Sequence, residues 1–227
     1  MARSQILKDL VSGDYNLESV LLRLKIILSD LENEAINNWI DSEIQGYESI
    51  EDVPSYRILD GQPIGTFILG NLHHGLKHTN AQIPIGHLPE DIKDELLTLH
   101  LTDGLLGIKS LLKSEGTIAK SVPTEFCHRI SNERMLVTGM NIVFSKNQIQ
   151  GVIASIKNKL MNILLKIEKE FGNLDSLDTF AEETDTQALQ NIEQYIINVI
   201  FDKSIKIGDH NKIKSSNIGH RGETNVN

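Results

Sequence analysis

Residues Ser145 to Gly172 read SKNQIQGVIASIKNKLMNILLKIEKEFG, and the apolar side chains Ile149, Val152, Ile153, Ile156, Leu160, Ile163, Leu164, Ile167 and Phe171 recur at steps of three and four. That period predicts an α-helix buried along one broad side. Ser145 followed three residues later by Gln148 has the form of a capping box, and Gly172 is placed to end the helix in a left-handed conformation. A helix of about 26 residues at roughly 1.5 Å each spans nearly 40 Å, the width of a small domain. The other elements are therefore expected to pack along it.

Working outward towards the N-terminus, Ser4 to Val11 predicts a short helix stopped at Ser12-Gly13-Asp14. A second helix is expected after Asn16 as N-cap and through Leu31, with Leu17, Val20, Leu21, Leu24, Ile27 and Leu28 on one side. Asn33 can cap a third, which carries Ala35, Ile36, Trp39, Ile40, Ile44 and Tyr47 and loosens at Gly46. The short connection between the second and third makes them an antiparallel hairpin. The stripe with Trp39 and Tyr47 reads as core, since helical spacing alone accounts for it.

After Pro54 the texture changes. Ser55 to Leu69 mixes β-branched and aromatic residues with Gly61, Pro63 and Gly65, which predicts two short strands around a turn, and Ala81 to Ile85 reads as another strand. Pro89 opens a helix with Glu90 and Asp91 in its first turn. Leu101 to Leu112 predicts a further helix in which Gly104 and Gly107 are costly unless a neighbouring backbone packs against them. Lys120 to Thr124 is expected to be extended, Glu125 to Asn132 helical, and Leu136 to Phe144 a strand. The fold class expected is α+β, predominantly α-helical: an N-terminal helical hairpin, small β elements, the long central helix, then a C-terminal helix and a short β-tail.

Net charge is −9, from 22 basic and 31 acidic residues. That excess argues against a general nucleic-acid binder, whose affinity comes from neutralising phosphates. The acidity is local: between Gly13 and Asp52 ten carboxylates (Asp14, Glu18, Asp30, Glu32, Glu34, Asp41, Glu43, Glu48, Glu51, Asp52) face only Arg23 and Lys25. From Lys203 onward the sign reverses, with Lys203, Lys206, Lys212, Lys214 and Arg221 against Asp209 and Glu223. No apolar run approaches the roughly 18 residues needed to span a bilayer, and the first residues lack the apolar core of a secretion signal. No membrane association and a cytoplasmic location are expected.

Few residues carry chemistry. The single cysteine, Cys127, excludes an internal disulfide framework and reads as a small core residue, not as a thiol activated by adjacent His128. The histidines His73, His74, His78 and His87 match no zinc spacing, so they read as ordinary loop histidines; no metal and no cofactor is expected. No residue pattern names a substrate or a catalytic set.

Four segments together carry a family resemblance: LLRLKIILSDLENEAINNWIDSEIQGY, VPSYRILDGQPIGTF, IPIGHLPEDIK and SKNQIQGVIASIKNKLMNILLKIEKE. In this order they are similar to the AbiTii domain of bacterial abortive-infection proteins, over roughly Ser4 to Phe171. The family's hairpin ends in an Asn-Glu-Leu-x-Gly-Tyr-like signature; here it is Ser42-Glu43-Ile44-Gln45-Gly46-Tyr47, with Ser42 departing from it. Its Arg-Asn-Arg-like helix centre appears as Lys157-Asn158-Lys159, where ammonium point charges replace bidentate guanidinium groups. The resemblance implies defence against bacteriophage and names no reaction.

Beyond Gly172, residues 173–185 read as an acidic linker between an AbiTii-like domain over 1–172 and a C-terminal helix over 186–203, with Leu189, Ile192, Ile196, Ile197 and Ile200 on one face. Residues 204–227 form a β-prone tail in which Ile205, Ile207, Ile213 and Ile218 alternate with polar residues around Gly-Asp-His-Asn. Similar Ile-Gly-Asp-x-Asn tails follow AbiTii domains and resemble small β-assemblies of several chains. The expectation is homo-oligomerisation through those isoleucines, with the last residues an alternative disordered terminus. Two functional classes follow. One is an oligomeric sensor, adaptor or toxin subunit, with other defence proteins as candidate partners. The other is an enzyme acting on nucleic acid or nucleotides, with Glu43, Tyr56, Arg57 and Asn158 as its candidate polar cluster.

Overall fold

Apolar period decides most element types here, and the computed structural model, which describes residues 3–12, 16–70, 74–175 and 186–201, follows it closely. The N-terminal helices are α1 (Gln5–Ser12), α2 (Leu17–Ile27) and α3 (Glu34–Gln45). There follow β1 (Ile58–Asp60), β2 (Gln62–Leu69), β3 (Leu76–Gln82), α4 (Glu90–Leu97), β4 (Thr98–His100), α5 (Leu105–Lys113) and β5 (Ile118–Val122). The chain continues through α6 (Thr124–Ile130), β6 (Met135–Phe144), α7 (Lys146–Phe171) and α8 (Thr186–Phe201). The result is an α+β fold, mostly helical, with two small antiparallel sheets.

The long helix has the expected length of 26 residues, and Ile149, Val152, Ile156, Leu160, Ile163, Leu164 and Ile167 are fully buried. Each such side chain removed from water contributes about 1.5–3 kcal/mol, so this single stripe anchors the core. Against α7 lie α1, α2, α5, α8 and the 3-10 turn Ser55–Arg57. The start of α7 differs from the capping-box expectation: the Ser145 hydroxyl accepts from the Asn147 amide at 3.2 Å, and the Gln148 side chain donates instead to the Asp60 carbonyl at 3.1 Å. Gln148 thus fastens the helix to the end of β1, because a carbonyl there needs a donor that the short ladder does not supply.

Several boundaries move for local reasons. α2 stops at Ile27, and a 3-10 turn at Ser29–Leu31 followed by left-handed Glu32 (φ 45°) makes the tight return into α3. Asn16 precedes α2 without a side-chain cap bond; its side-chain oxygen Oδ1 accepts from the ammonium of Lys109 instead. Asn33 caps α3 as expected, accepting from the Ile36 amide at 3.0 Å. The strands expected around one turn after Pro54 do not pair with each other. β1 pairs with β4, while β2 pairs with β3 and β6 in a sheet of order β3-β2-β6-β5. The expected strand over Ala81 to Ile85 is only the end of β3, and His78 stands in that strand, stacked on Phe67 at 4.8 Å, not in a loop. The helix expected from Leu101 begins at Leu105, because the backbone of residues 101–103 is bonded to Arg57, Tyr47 and Gly46.

The inner face of β6 shows how burial sets register. Met135 and Val137 are buried, then Met140, Ile142 and Phe144, a change from odd to even positions. Pairing skips from Thr66–Gly139 to Phe67–Val137, so one extra residue on β6 bulges out and both halves keep their apolar side chains on the core.

α8 packs against α7 and α3, with Ile192, Ile196 and Ile200 fully buried in the same core as the α7 stripe. Ile205, Ile207, Ile213 and Ile218 lie outside the described residues. At the other end of α7, Glu168 receives the Ser4 amide at 2.7 Å, the Ser4 hydroxyl at 2.6 Å and the Arg3 guanidinium, which ties α1 down. Burial opposes ionisation of Glu168, but these donors outweigh it and hold the carboxyl at about 2, below its ordinary 4.5.

Two outcomes follow. Replacing fully buried Ile156 with Asp places an unpaired carboxylate in the core and should cost several kcal/mol, read as a large drop in melting temperature; unchanged melting would show that the stripe does not carry the core. Because the folded Glu168 has the lower pKa, its contribution is present above pH 4.5 and is lost as pH falls from there towards 2. Melting curves of the natural chain and Glu168→Gln should therefore differ at neutral pH and converge on acidification through that window; a constant difference would contradict the assignment.

Candidate functional site

Of the four polar residues singled out in the sequence, Glu43, Tyr56 and Arg57 meet inside the protein. Glu43 points inward from α3, and Tyr56 and Arg57 come from the 3-10 turn opened by Pro54. The β1–β4 ladder holds that turn in place, with the Leu101 amide donating to the Arg57 carbonyl at 2.9 Å. Asn158 is exposed on α7 and is not part of this group.

Glu43 and Arg57 both have 0% side-chain exposure. One Glu43 oxygen, Oε1, accepts from the Tyr47 hydroxyl at 2.7 Å, the Tyr56 hydroxyl at 2.6 Å and Arg57 Nε at 3.2 Å, while Oε2 accepts from Arg57 Nη2 at 2.7 Å. The remaining guanidinium nitrogen, Nη1, donates to the carbonyls of Leu101 at 3.1 Å and Asp103 at 2.7 Å. The arrangement is a two-pronged Arg–carboxylate pair with its spare donors spent on backbone oxygens, the geometry that best offsets desolvation of both charges. Tyr47 also lies under the guanidinium, 5.0 Å from ring centre to Cζ.

The electrostatics follow from burial. Burial and the Glu43 charge drive the Tyr47 and Tyr56 hydroxyls far above the ordinary tyrosine range, so both remain neutral donors. For Arg57 burial acts downward, but the hydrogen bonds and charge of Glu43 prevail and hold the guanidinium above its ordinary value. Neither tyrosine is poised to give up a proton at neutral pH, and no carboxylate oxygen of Glu43 is without a donor.

Three members were not singled out as polar site residues. Trp39 donates its indole N–H to the Tyr56 hydroxyl at 2.8 Å, and Tyr47 sits one turn after Glu43 on the stripe read as core. Lys159 is buried, with its ammonium 4.9 Å from the Tyr56 ring centre and donating to the Val199 carbonyl of α8 at 2.6 Å. Its position was legible: Lys159 lies three residues after Ile156 and four before Ile163, on the apolar stripe. A lysine there must bury its stem and find an acceptor.

Backbone contact sets the frame. Gly46, with φ 112°, ends α3, and the Tyr47 amide donates to the Thr102 carbonyl at 2.8 Å. A Cβ on Gly104 would stand 2.3 Å from the Ile44 carbonyl oxygen, so this glycine permits the close approach of the β4–α5 corner to the end of α3. That contact brings the Leu101 and Asp103 carbonyls within reach of Arg57.

In front of the network lies a surface groove of about 500 Å³, walled by α3, the 47–54 segment and the end of α8; Trp39 and Tyr47 line it from the network side. Elsewhere, Cys127 is buried with its thiol raised by that burial, and His87 Nε2 donates to the Ile130 carbonyl at 2.8 Å. Among the described residues no group of three or more His, Cys, Asp or Glu is placed to hold a metal ion.

Arg57→Ala should leave Glu43 charged and buried without its partner, at a cost of about 3–5 kcal/mol. The check is chemical denaturation. A loss below about 1 kcal/mol, the size of an exposed pair, would mean that the pair is not buried in solution.

No curated protein and no solved structure gives a significant match to the chain. A family model described as AbiTii matches residues 3–193, a span that takes in α1 through the first half of α8 and the whole Glu43–Arg57 network. The chain belongs to the AbiTii family, and that membership points to abortive-infection defence against phage.

Proposed function

We propose that the protein is a non-catalytic component of an abortive-infection system, working in the cytoplasm as an oligomeric sensor, adaptor or toxin subunit. Family membership supports the defence role. The observation that carries the non-catalytic part is the saturation of Glu43 and Arg57: both are fully buried, and every carboxylate oxygen and guanidinium nitrogen has a partner within the protein. An acid, base or nucleophile must reach a substrate atom, and no atom of this cluster is free to do so. Among the described residues no helix is long and apolar enough to cross a membrane.

Oligomerisation belongs to the tail in this reading. The defined apolar stripes close on the core through Ile200, so a chain ending at Asp202 keeps α8 seated, whereas the tail's alternating isoleucines have no strand partners in so short a segment.

The test compares the full chain, the chain ending at Asp202 and Tyr56→Phe by light scattering, thermal melting and phage plating. The shortened chain should stay folded, fall in mass and lose protection. Tyr56→Phe removes one donor to Glu43 and the acceptor of Trp39; it should cost about 2 kcal/mol or more, yet protect below its melting temperature. Equal masses for the full and shortened chains would refute assembly through the tail. Lost protection in Tyr56→Phe at unchanged melting and mass would instead favour an enzyme acting on nucleic acid or nucleotides.

A further inference from the structure

The groove beside the buried network is lined by both carboxylates and aromatic side chains. Asp41, Glu48 and Asp52 line it together with Trp39, Tyr47 and Phe201. Lys25 engages Asp41 at 2.6 Å, whereas exposed Glu48 and Asp52 make no ion pair among the described residues. Such a surface suits a cationic side chain with an apolar stem, since carboxylates and aromatic faces both attract it.

The position of Phe201 identifies the occupant. It is the last residue of α8 and forms part of the groove wall, so residue 202 is bonded to a residue of the groove itself. Residues 202–227 follow, and from Lys203 on they carry five basic residues against two acidic ones, the opposite sign to the 13–52 region that supplies Asp41, Glu48 and Asp52. Lys203 and Lys206 stand two and five residues beyond Phe201, a reach of at most about 7 and 18 Å at roughly 3.5 Å per residue. A tether this short raises the effective concentration of the two lysines at the groove to the order of millimolar or above.

We propose that the groove is the seat of the protein's own C-terminal segment, with Lys203 and Lys206 on Glu48 and Asp52. The contact uses the first residues after α8 and leaves Ile207, Ile213 and Ile218 to assemble with other chains. It also sets the direction in which the tail departs, and it loosens with salt because both partners are exposed.

Zero-length carbodiimide coupling of amines to carboxylates, applied to the full chain as an equal mixture of ¹⁴N and ¹⁵N protein, tests this. Mass spectrometry should find Lys203 or Lys206 joined to Glu48 or Asp52 with both halves of one isotope. The yield should fall steeply between about 0.1 and 1 M salt, as the Debye length shrinks from roughly 10 to 3 Å. Lys203→Gln combined with Lys206→Gln should abolish these species without altering melting. Absence of the linked peptides, a mixed-isotope share near one half after the two proteins are refolded together, the random-pairing value for the tail of a second copy, or a salt-independent yield would each overturn the proposal. Light scattering on the same samples reads assembly separately, so a monomeric full chain would sink the oligomer reading while leaving this contact to stand or fall on the cross-links.

Discussion

The ion pair between Glu43 and Arg57 constrains the rest of this protein more than any other contact. Taking both charges out of water costs several kcal/mol each, recovered only when the two-pronged geometry and every additional donor are in place. Those partners come from separate parts of the chain: the donor Tyr47 beyond the end of α3, the donor Tyr56 from the 3-10 turn, and, accepting from Arg57, the carbonyls of Leu101 and Asp103 after β4. A slip of one residue in any of these segments would leave a buried charge unpaired. The network therefore selects one register of α3 against the β1–β4 ladder, which apolar packing alone would leave less sharply defined.

Around that lock the molecule is arranged on the length of α7. Its stripe supports α1, α2, α5 and α8, and the one polar residue within the stripe, Lys159, reaches the Tyr56 ring and the Val199 carbonyl. Lys159 thereby joins the buried network to the helix that leads into the C-terminal tail. The coupling is structural and specific: any displacement of α8 from α7 must release a buried ammonium from its acceptor, and that cost favours the seated helix.

The distribution of charge gives the surface its character. Acidic residues gather on the N-terminal hairpin and the segment after it, the groove that they line includes the last residue of α8, and a basic segment follows that residue in the sequence. The buried polar cluster, by contrast, is occupied with holding the body together.

The sequence by itself determined most element types, β3 being an exception, because helix and strand impose different periods and the apolar residues here keep them: 3.6 in the α7 stripe and near 2 in β6. It also determined the Asn33 cap, the start of α8, the charge division and the family, all of which are local or compositional properties. Glu43, Tyr56 and Arg57 were legible as polar residues set within apolar surroundings, although their mutual contact was not. Only the tertiary structure decided that β1 pairs with β4 instead of β2, that β6 bulges near Thr138, that Gln148 serves Asp60, and that Lys159 finds its acceptor in Val199. Each of these depends on partners distant along the chain, often tens of residues away, and a hydrogen-bond donor or a charge carries no mark in its own segment of which acceptor the fold will bring to it.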